Sequence, residues 1–400
     1  MNDLYHLFLR TEREKRLQQQ AAQLSKQFQQ RAHWHDEQAV FPFENFAQLK
    51  KAHFLSLTVP KQYGGEEISL YEFLLVQETI AQGDGATALS LGWHLGIVMN
   101  LAEQKKWPKE VFARICKEIV EKQVLLNSAQ SETATGSPAR GGKPETTAEK
   151  RNGGWVISGR KTYTSLAPAL DYFIVSATIK ETGEVGNFLI PKTASGLKIE
   201  ETWNTLGMRG TRSDDLILEN VVVDEKALVE ILGSSQQKGR AQGWLLHIPA
   251  CYLGIAIAAR NEAIAFAKSY QPNTLPHPIA EVPEVRRKIA QIDIELMAAR
   301  HFMYSVADRW DRHPDKREKM KEELAAVKYV ATNIAINAVD MAMRVVGGQS
   351  LFASHPLQRY YRDVRAGLHN PPADDLTISI VASRSFNKNV GEDPTTSERA

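Results

Sequence analysis

The sequence predicts an α+β fold in three consecutive parts: an N-terminal helical domain, a middle β-domain and a C-terminal helical bundle of four-helix type. Two changes of texture along its 400 residues carry that prediction. Before Val124 the apolar residues recur at helical spacing. From there to about Val229, short β-branched and aromatic runs alternate with turns. After "GSSQQKGRAQG" the helical period returns over three long stretches. Helices set apart from a strand-rich segment are the signature of an α+β layer architecture. The parts are placed at 1–123 for the helical domain, 124–235 for a β-barrel or sandwich and 236–387 for the bundle. The polar tail, 388–400, is expected to be disordered.

Each element has a local reason. "LYHLFLRTEREKRLQQQAAQLSKQFQQRA" begins with Leu4, Leu7, Phe8 and Leu9 and continues in strong helix formers. "TVPKQYGGEEISLYEF" is a Pro/Gly-punctuated loop leading into a helix with Ser69 as its N-cap. "ATALSLGWHLGIVMNLAEQ" is apolar nearly all round and is expected to be a buried helix. The middle part offers "GWVISGRKTYTS", "DYFIVSATIK", "GNFLIPK", "LKIEE" and "DLILENVVV" as strands, with turns at Gly153-Gly154 and in "ETGEVG". The bundle helices are "WLLHIPACYLGIAIAARNEAIAFAKSY", "EVRRKIAQIDIELMAARHFMYSVADRW" and "REKMKEELAAVKYVATNIAINAVDMAMRVVGG". The first two are joined by the Pro-rich "QPNTLPHPIAEVP". A cleft where the three parts meet is the natural place for a ligand.

Composition narrows the partners. The formal charge is +2 and no long basic run is present, which argues against nucleic acid or an anionic membrane. Cys116 and Cys251 sit in apolar helical contexts and form no metal or redox pattern, so they read as buried free thiols in a reducing compartment, taken to be the cytoplasm. No secretory core is seen at the N-terminus, and no apolar run long enough to span a membrane is expected. In "AHWHDE", His33 and His35 are two apart, on different sides of a helix, so no metal site is expected. No Gly-x-Gly-x-x-Gly follows a strand, so no nicotinamide site is expected.

Four motifs stand in a fixed order: "SETATGSP" (131–138), "GRKTYTS" (159–165), "LGMRGTRSDDLILENVVV" (206–223) and "RVVGGQSLFASHPLQRYYRDVR" (344–365). In order and spacing they resemble the acyl-CoA dehydrogenase superfamily, over about Ala52 to Asp375. The resemblance implies that family's fold and a flavin, FAD or FMN. It implies flavin contacts from Ser131, with Gln130 beside it, and a phosphate contact from Ser137. Tyr163 stands where the family has a Trp over the ring, and Ser165 where it has a Thr near the reactive nitrogen. Arg344, Gly347 and Gly348 occupy the Gly-Gly segment associated with the cofactor. A homotetramer is also implied. Taken alone, Ser residues in strands and turns more often cap local backbone.

The departures decide between chemistries. Family dehydrogenases remove a proton with a Glu in one of two places. Those positions are Pro371 and Trp244 here, and neither can take a proton. Asp374 is a candidate for a relocated base, with a solvated helix cap as the plain alternative. The Arg that clamps a pyrophosphate is replaced near Asn273, and a usual Gln is Arg344. This suggests altered phosphate recognition. Arg344 otherwise reads as a cation at a helix C-terminus.

"GLHNPP" (367–372) resembles the motif of the dibenzothiophene monooxygenase-like branch, which takes reduced flavin from a separate reductase. It transfers oxygen through a flavin C4a-hydroperoxide. That chemistry needs no α-proton base but needs a proton-holding group in a dry pocket. His369 is the candidate for that group, with Ser165 in support and His94 as a second candidate. His94 on an apolar helix equally reads as a satisfied core residue. The leading expectation is therefore a two-component flavin monooxygenase on a small substrate. Two alternatives stay open. One is an acyl-CoA dehydrogenase with a relocated base, delivering electrons to an electron-transfer flavoprotein. The other is a flavin or acyl-CoA binding protein without catalysis.

Overall fold

A computed structural model describes residues 7–135, 142–232 and 240–386. Ser137 lies outside the described residues. The first part holds five helices: α1 Glu12–Gln38, α2 Phe43–Lys51, α3 Leu70–Ala81, α4 Gly85–Gln104 and α5 Lys109–Lys122. The apolar Leu7–Leu9 lead suggests a helix starting earlier than α1 does. Thr11 stops it, because its side chain accepts from Glu14 N while the Glu14 carboxylate accepts from Thr11 N, a capping box. Ser69 and Glu72 form a second capping box at α3, with Ser69 as the N-cap that the sequence indicates. All of α3 is buried and α4 is buried nearly all round, as its unbroken apolar sequence requires.

The middle part forms an eight-stranded sheet. Its strands are β1 Leu126–Ala129, β2 Thr147–Arg151, β3 Gly154–Lys161, β4 Tyr172–Ile179, β5 Val185–Pro191, β6 Leu197–Glu200, β7 Asp215–Asp224 and β8 Leu228–Leu232. The hydrogen-bonded order is β6-β7-β3-β2-β4-β5-β8. One edge of β4 is shared: β1 runs parallel to its first half and β2 to its last residues. This places the end of β1 beside the segment that follows β3, and Thr162 N donates to Ser131 O at 2.9 Å.

The last part holds α6 His247–Ser269, α7 Pro283–Arg312, α8 Lys321–Val346, α9 Pro356–Arg365 and α10 Asp374–Phe386. By length and composition Gly243–Ser269 could cross a membrane, which the sequence reading did not expect. However, 89% of its most apolar window is buried inside the protein, which makes it the central core helix. α6 packs on α3, α4, α7, α8 and α9.

Two polar ties join the helical parts. The Asp311 carboxylate accepts from Leu70 N and Tyr71 N at 3.0 and 2.9 Å and so caps α3 from α7. Fully buried Glu78 on α3 pairs with Arg300 on α7 at 2.6 Å and accepts from the Tyr304 hydroxyl at 2.7 Å.

Candidate active site

The end of β1 and the turn after β3 bring several of the expected residues together. Gln130 and Ser131 are partly exposed at the strand end, and Ser131 O holds the 162–165 turn. Tyr163 adopts a left-handed backbone at φ 55° and is 69% exposed, its ring edge-on to Trp203 at 5.9 Å. Ser165 Oγ shares a 2.9 Å hydrogen bond with Ser213 Oγ, which in turn meets Thr211 Oγ1 at 2.9 Å. Ser165 O accepts from Asn127 Nδ2 at 3.0 Å, which links the turn back to β1. The hydroxyls of Ser128, Thr162 and Thr164 are buried without a hydrogen-bond partner among the described residues. A ledge of hydroxyls and backbone groups beside an exposed aromatic ring fits the polar edge and flat face of a flavin. Each unclaimed hydroxyl is a group that needs a partner.

Arg344, Gly347 and Gly348 lie together at the exposed end of α8, apart from that ledge in their bonding. Arg344 is 66% exposed in its side chain and pairs with Asp340, one helical turn back, at 2.7 Å. A Cβ on Gly348 would meet nothing within 4 Å, so the end of α8 has open space.

His369 follows a short turn after α9 and is exposed. The turn itself is firmly seated. The hydroxyl of buried Tyr252 on α6 donates to Asn370 Oδ1, and the Tyr252 ring lies where a Cβ on Gly367 would come within 3.0 Å. His94 is placed differently. It is fully buried, its Nε2 donates to Leu55 O at 3.0 Å, and its Nδ1 accepts from Leu126 N at 3.2 Å. Burial pushes its pKa down to about 4, so it is a neutral imidazole that fixes the start of β1. With both nitrogens held by backbone, it has no free atom to offer a substrate.

Asp374 is also engaged. One oxygen accepts from the Nζ of Lys328 and the other from Asn333 Nδ2, each at 2.9 Å. Lys328 is 2% exposed in its side chain and its pKa is lowered, chiefly by burial. Its neighbour Asp375 is exposed in the first turn of α10. Pro371 and Trp244 stand at the two places where the family resemblance puts a catalytic Glu, and Trp244 is buried against α4.

Two features escaped sequence reasoning. Asp363 is buried and accepts from Met208 N at 2.6 Å, tying the 207–210 loop of the middle part to α9. Beside it Arg362 reaches Asp36 and donates to Leu206 O at 2.8 Å. The "YRDVR" and "GMRG" motifs carried this signal jointly, but nothing in either says that they meet. The second feature is His247, which is fully buried in an aromatic cluster with Phe73, Trp93 and Trp244.

Comparison with known proteins agrees with this architecture. Family profiles match in order: acyl-CoA dehydrogenase, N-terminal domain, at 11–106; middle domain, at 127–221; and C-terminal domain, at 246–370. The putative acyl-CoA dehydrogenase YdbM of Bacillus subtilis is 46% identical, covering 95% of this chain and 99% of that protein. A 3-(aryl)acrylate reductase of Clostridium sporogenes is 28% identical over 87% of this chain and 91% of its own length. An indole-3-acetate monooxygenase of Acinetobacter baumannii is 26% identical, with coverage of 88% and 89%. Two solved structures share the fold. KijD3 in complex with FMN and a dTDP-sugar has a TM-score of 0.84 at 24% identity, covering 95% of each chain. TdsC of Paenibacillus sp. A11-2 with FMN and indole has a TM-score of 0.82 at 23% identity, covering 94% and 98%. With all three profiles in chain order and a close relative spanning its length, the chain belongs to the acyl-CoA dehydrogenase family, whose members are flavin-dependent enzymes.

Proposed function

We propose that the protein is a reduced-flavin monooxygenase that transfers one oxygen atom to a small apolar or aromatic substrate. One observation carries the reading: neither place where family dehydrogenases carry an α-proton base holds a carboxylate, and the nearby Asp374 is not free. Pro371 and Trp244 have none, and Asp374 is bound to a buried lysine. A base must reach its proton before its pKa matters. The name of the indole-3-acetate monooxygenase relative supports the same class, and the FMN complexes of TdsC and KijD3 show that this fold accommodates FMN.

In this reading Gln130, Ser131 and the 162–165 turn hold the flavin ring, and Arg344 with the Gly347-Gly348 turn meets its phosphate. When bound, reduced flavin supplies the two electrons that activate dioxygen, one atom going to the substrate and the other leaving as water. His369 holds the proton at one ring nitrogen, a task suited to imidazole. Ser165 Oγ would supply a second hydrogen bond. Buried Trp244 and Tyr252 are the apolar groups that would keep water out. Exposure of His369 in a single chain means that assembly has to cover it. Leu351, Phe352, Ile378, Val381 and Phe386 are exposed apolar side chains of the bundle that a homotetramer would bury. Electrons come from a separate reductase, and the protein works in the cytoplasm.

A second reading, an acyl-CoA dehydrogenase, is favoured by the name of the 46% identical relative. The two part in one experiment. FMN- or FAD-loaded protein is mixed anaerobically with short, long and branched acyl-CoA thioesters. The proposal expects the flavin to stay oxidised. Rapid bleaching that is lost in Asp374→Asn would sink it and establish the dehydrogenase. Under oxygen with reduced flavin, His369→Ala should lower product yield relative to peroxide release; an unchanged yield would remove His369 from the mechanism.

A further inference from the structure

His247 is an unusual group to find at the centre of a protein. It is 0% exposed, and neither Nδ1 nor Nε2 has a hydrogen-bond partner among the described residues. Two aromatic rings run nearly parallel to it, Phe73 at 6.1 Å and 10° and Trp244 at 5.8 Å and 8°. Trp93 closes one side edge-on at 4.8 Å. Other buried polar atoms of these helices are equally unclaimed: Trp244 Nε1, Gln77 Oε1 and Ser90 Oγ. The helix surface is cut to receive this cluster. A Cβ on Gly92 would come within 2.8 Å of His247 Nδ1 and 2.6 Å of Gln77 Nε2, and one on Gly96 within 2.5 Å of Trp244 Cε3.

Unpaired buried polar groups are costly, and two on one imidazole call for an explanation. A purely structural core position would be better filled by Phe or Leu, since none of the described residues uses the nitrogens. Burial pushes the imidazole pKa down to about 3, so it presents one N–H donor and one bare acceptor. The surrounding walls are flat and aromatic, and Trp93 is partly exposed, which gives the cluster an edge toward the surface.

We propose that His247 is the hydrogen-bonding anchor of the substrate, and that its ligand is a flat aromatic molecule bearing one neutral donor or acceptor, admitted by rotation of Trp93. The assignment rests on the proposed function, a monooxygenase acting on a small apolar or aromatic substrate. It assigns His247 to binding and specificity, with no proton transfer required of it.

The test uses an isosteric pair, p-cresol and p-xylene, which differ by a hydroxyl in place of a methyl. Their dissociation constants are measured by calorimetry on FMN-loaded wild type, His247→Phe and His247→Gln. The ratio of the two constants should move against p-cresol by about tenfold in His247→Phe, with p-xylene binding retained, and by less in His247→Gln. A merely structural histidine would weaken both ligands together and leave the ratio alone. The same ratio in wild type and His247→Phe overturns the anchor, as does absence of binding by either compound to wild type. FMN retention on the same samples separates the outcomes: flavin held without aromatic binding refutes the anchor only, whereas flavin not held refutes the flavoenzyme reading itself.

Discussion

Removing the Asp374 carboxylate separates a structural carboxylate from a catalytic one. Asp374 holds Lys328 at 2.9 Å, and Lys328 has 2% of its side chain exposed. Asp374→Ala leaves that ammonium buried with Leu368 O, at 3.4 Å, as its remaining acceptor. Breaking a buried pair from one side costs about 3–5 kcal/mol. Because Asp374 itself is 22% exposed, water can enter beside it, and the lower end, about 3 kcal/mol, is expected. Replacing both partners, Lys328→Met with Asp374→Leu, removes the stranded charge and should recover most of the loss. Denaturant midpoints of wild type, both single variants and the double variant give the coupling directly. The single variant should keep its flavin and its oxygen reaction. An Asp374→Ala protein as stable as wild type, or a double variant no better than the single, would refute the argument.

Other substitutions probe the remaining ties. Burial pushes the Asp363 carboxyl up to about 7 from 3.8. The folded state therefore holds this proton more tightly than the unfolded chain does, so stability falls as pH rises from about 4 to about 7 and levels off above. At 1.36 kcal/mol per pH unit the difference is about 4 kcal/mol. Asp363→Asn should flatten the fall in urea midpoint between about pH 5 and about pH 8; an equal fall in both proteins speaks against it. His94→Phe strands Leu126 N and Leu55 O and should cost about 2–4 kcal/mol, with weaker flavin retention because β1 begins at Leu126. Wild-type stability in that variant would contradict the bracing role. Gly96→Ala places a methyl 2.5 Å from the Trp244 ring and should destabilise by about 1–3 kcal/mol, read from thermal melts.

Much of the architecture was legible because it is local. The all-round apolar run of α4, the Ser69 cap and the shift from helical to strand texture near Val124 each state their structure within a few residues. α1 starts after the apolar Leu7–Leu9 because the Thr11–Glu14 capping box outweighs apolar spacing there. The site residues were less legible because their partners are distant in the chain. His94 bonds Leu126 and Leu55, 32 and 39 residues away. Asp374 finds Lys328 46 residues back, so a residue that reads as a helix cap or a base is an ion-pair partner. The isolation of His247 comes from α3 and α4, and no spacing rule announces it. Arg344 is the converse case. Its partner Asp340 is one turn away on the same helix and could have been read from the sequence.

The central claim is oxygen chemistry in place of α-proton removal, and rapid mixing tests it most directly. Protein carrying reduced FMN, and separately reduced FAD, is mixed with oxygenated buffer while the spectrum is followed. A monooxygenase should show a delayed return to oxidised flavin, through an absorbing species distinct from both end states and shortened in His369→Ala. Return at the rate of free reduced flavin with no such species, together with anaerobic bleaching of the oxidised protein by an acyl-CoA, would contradict it.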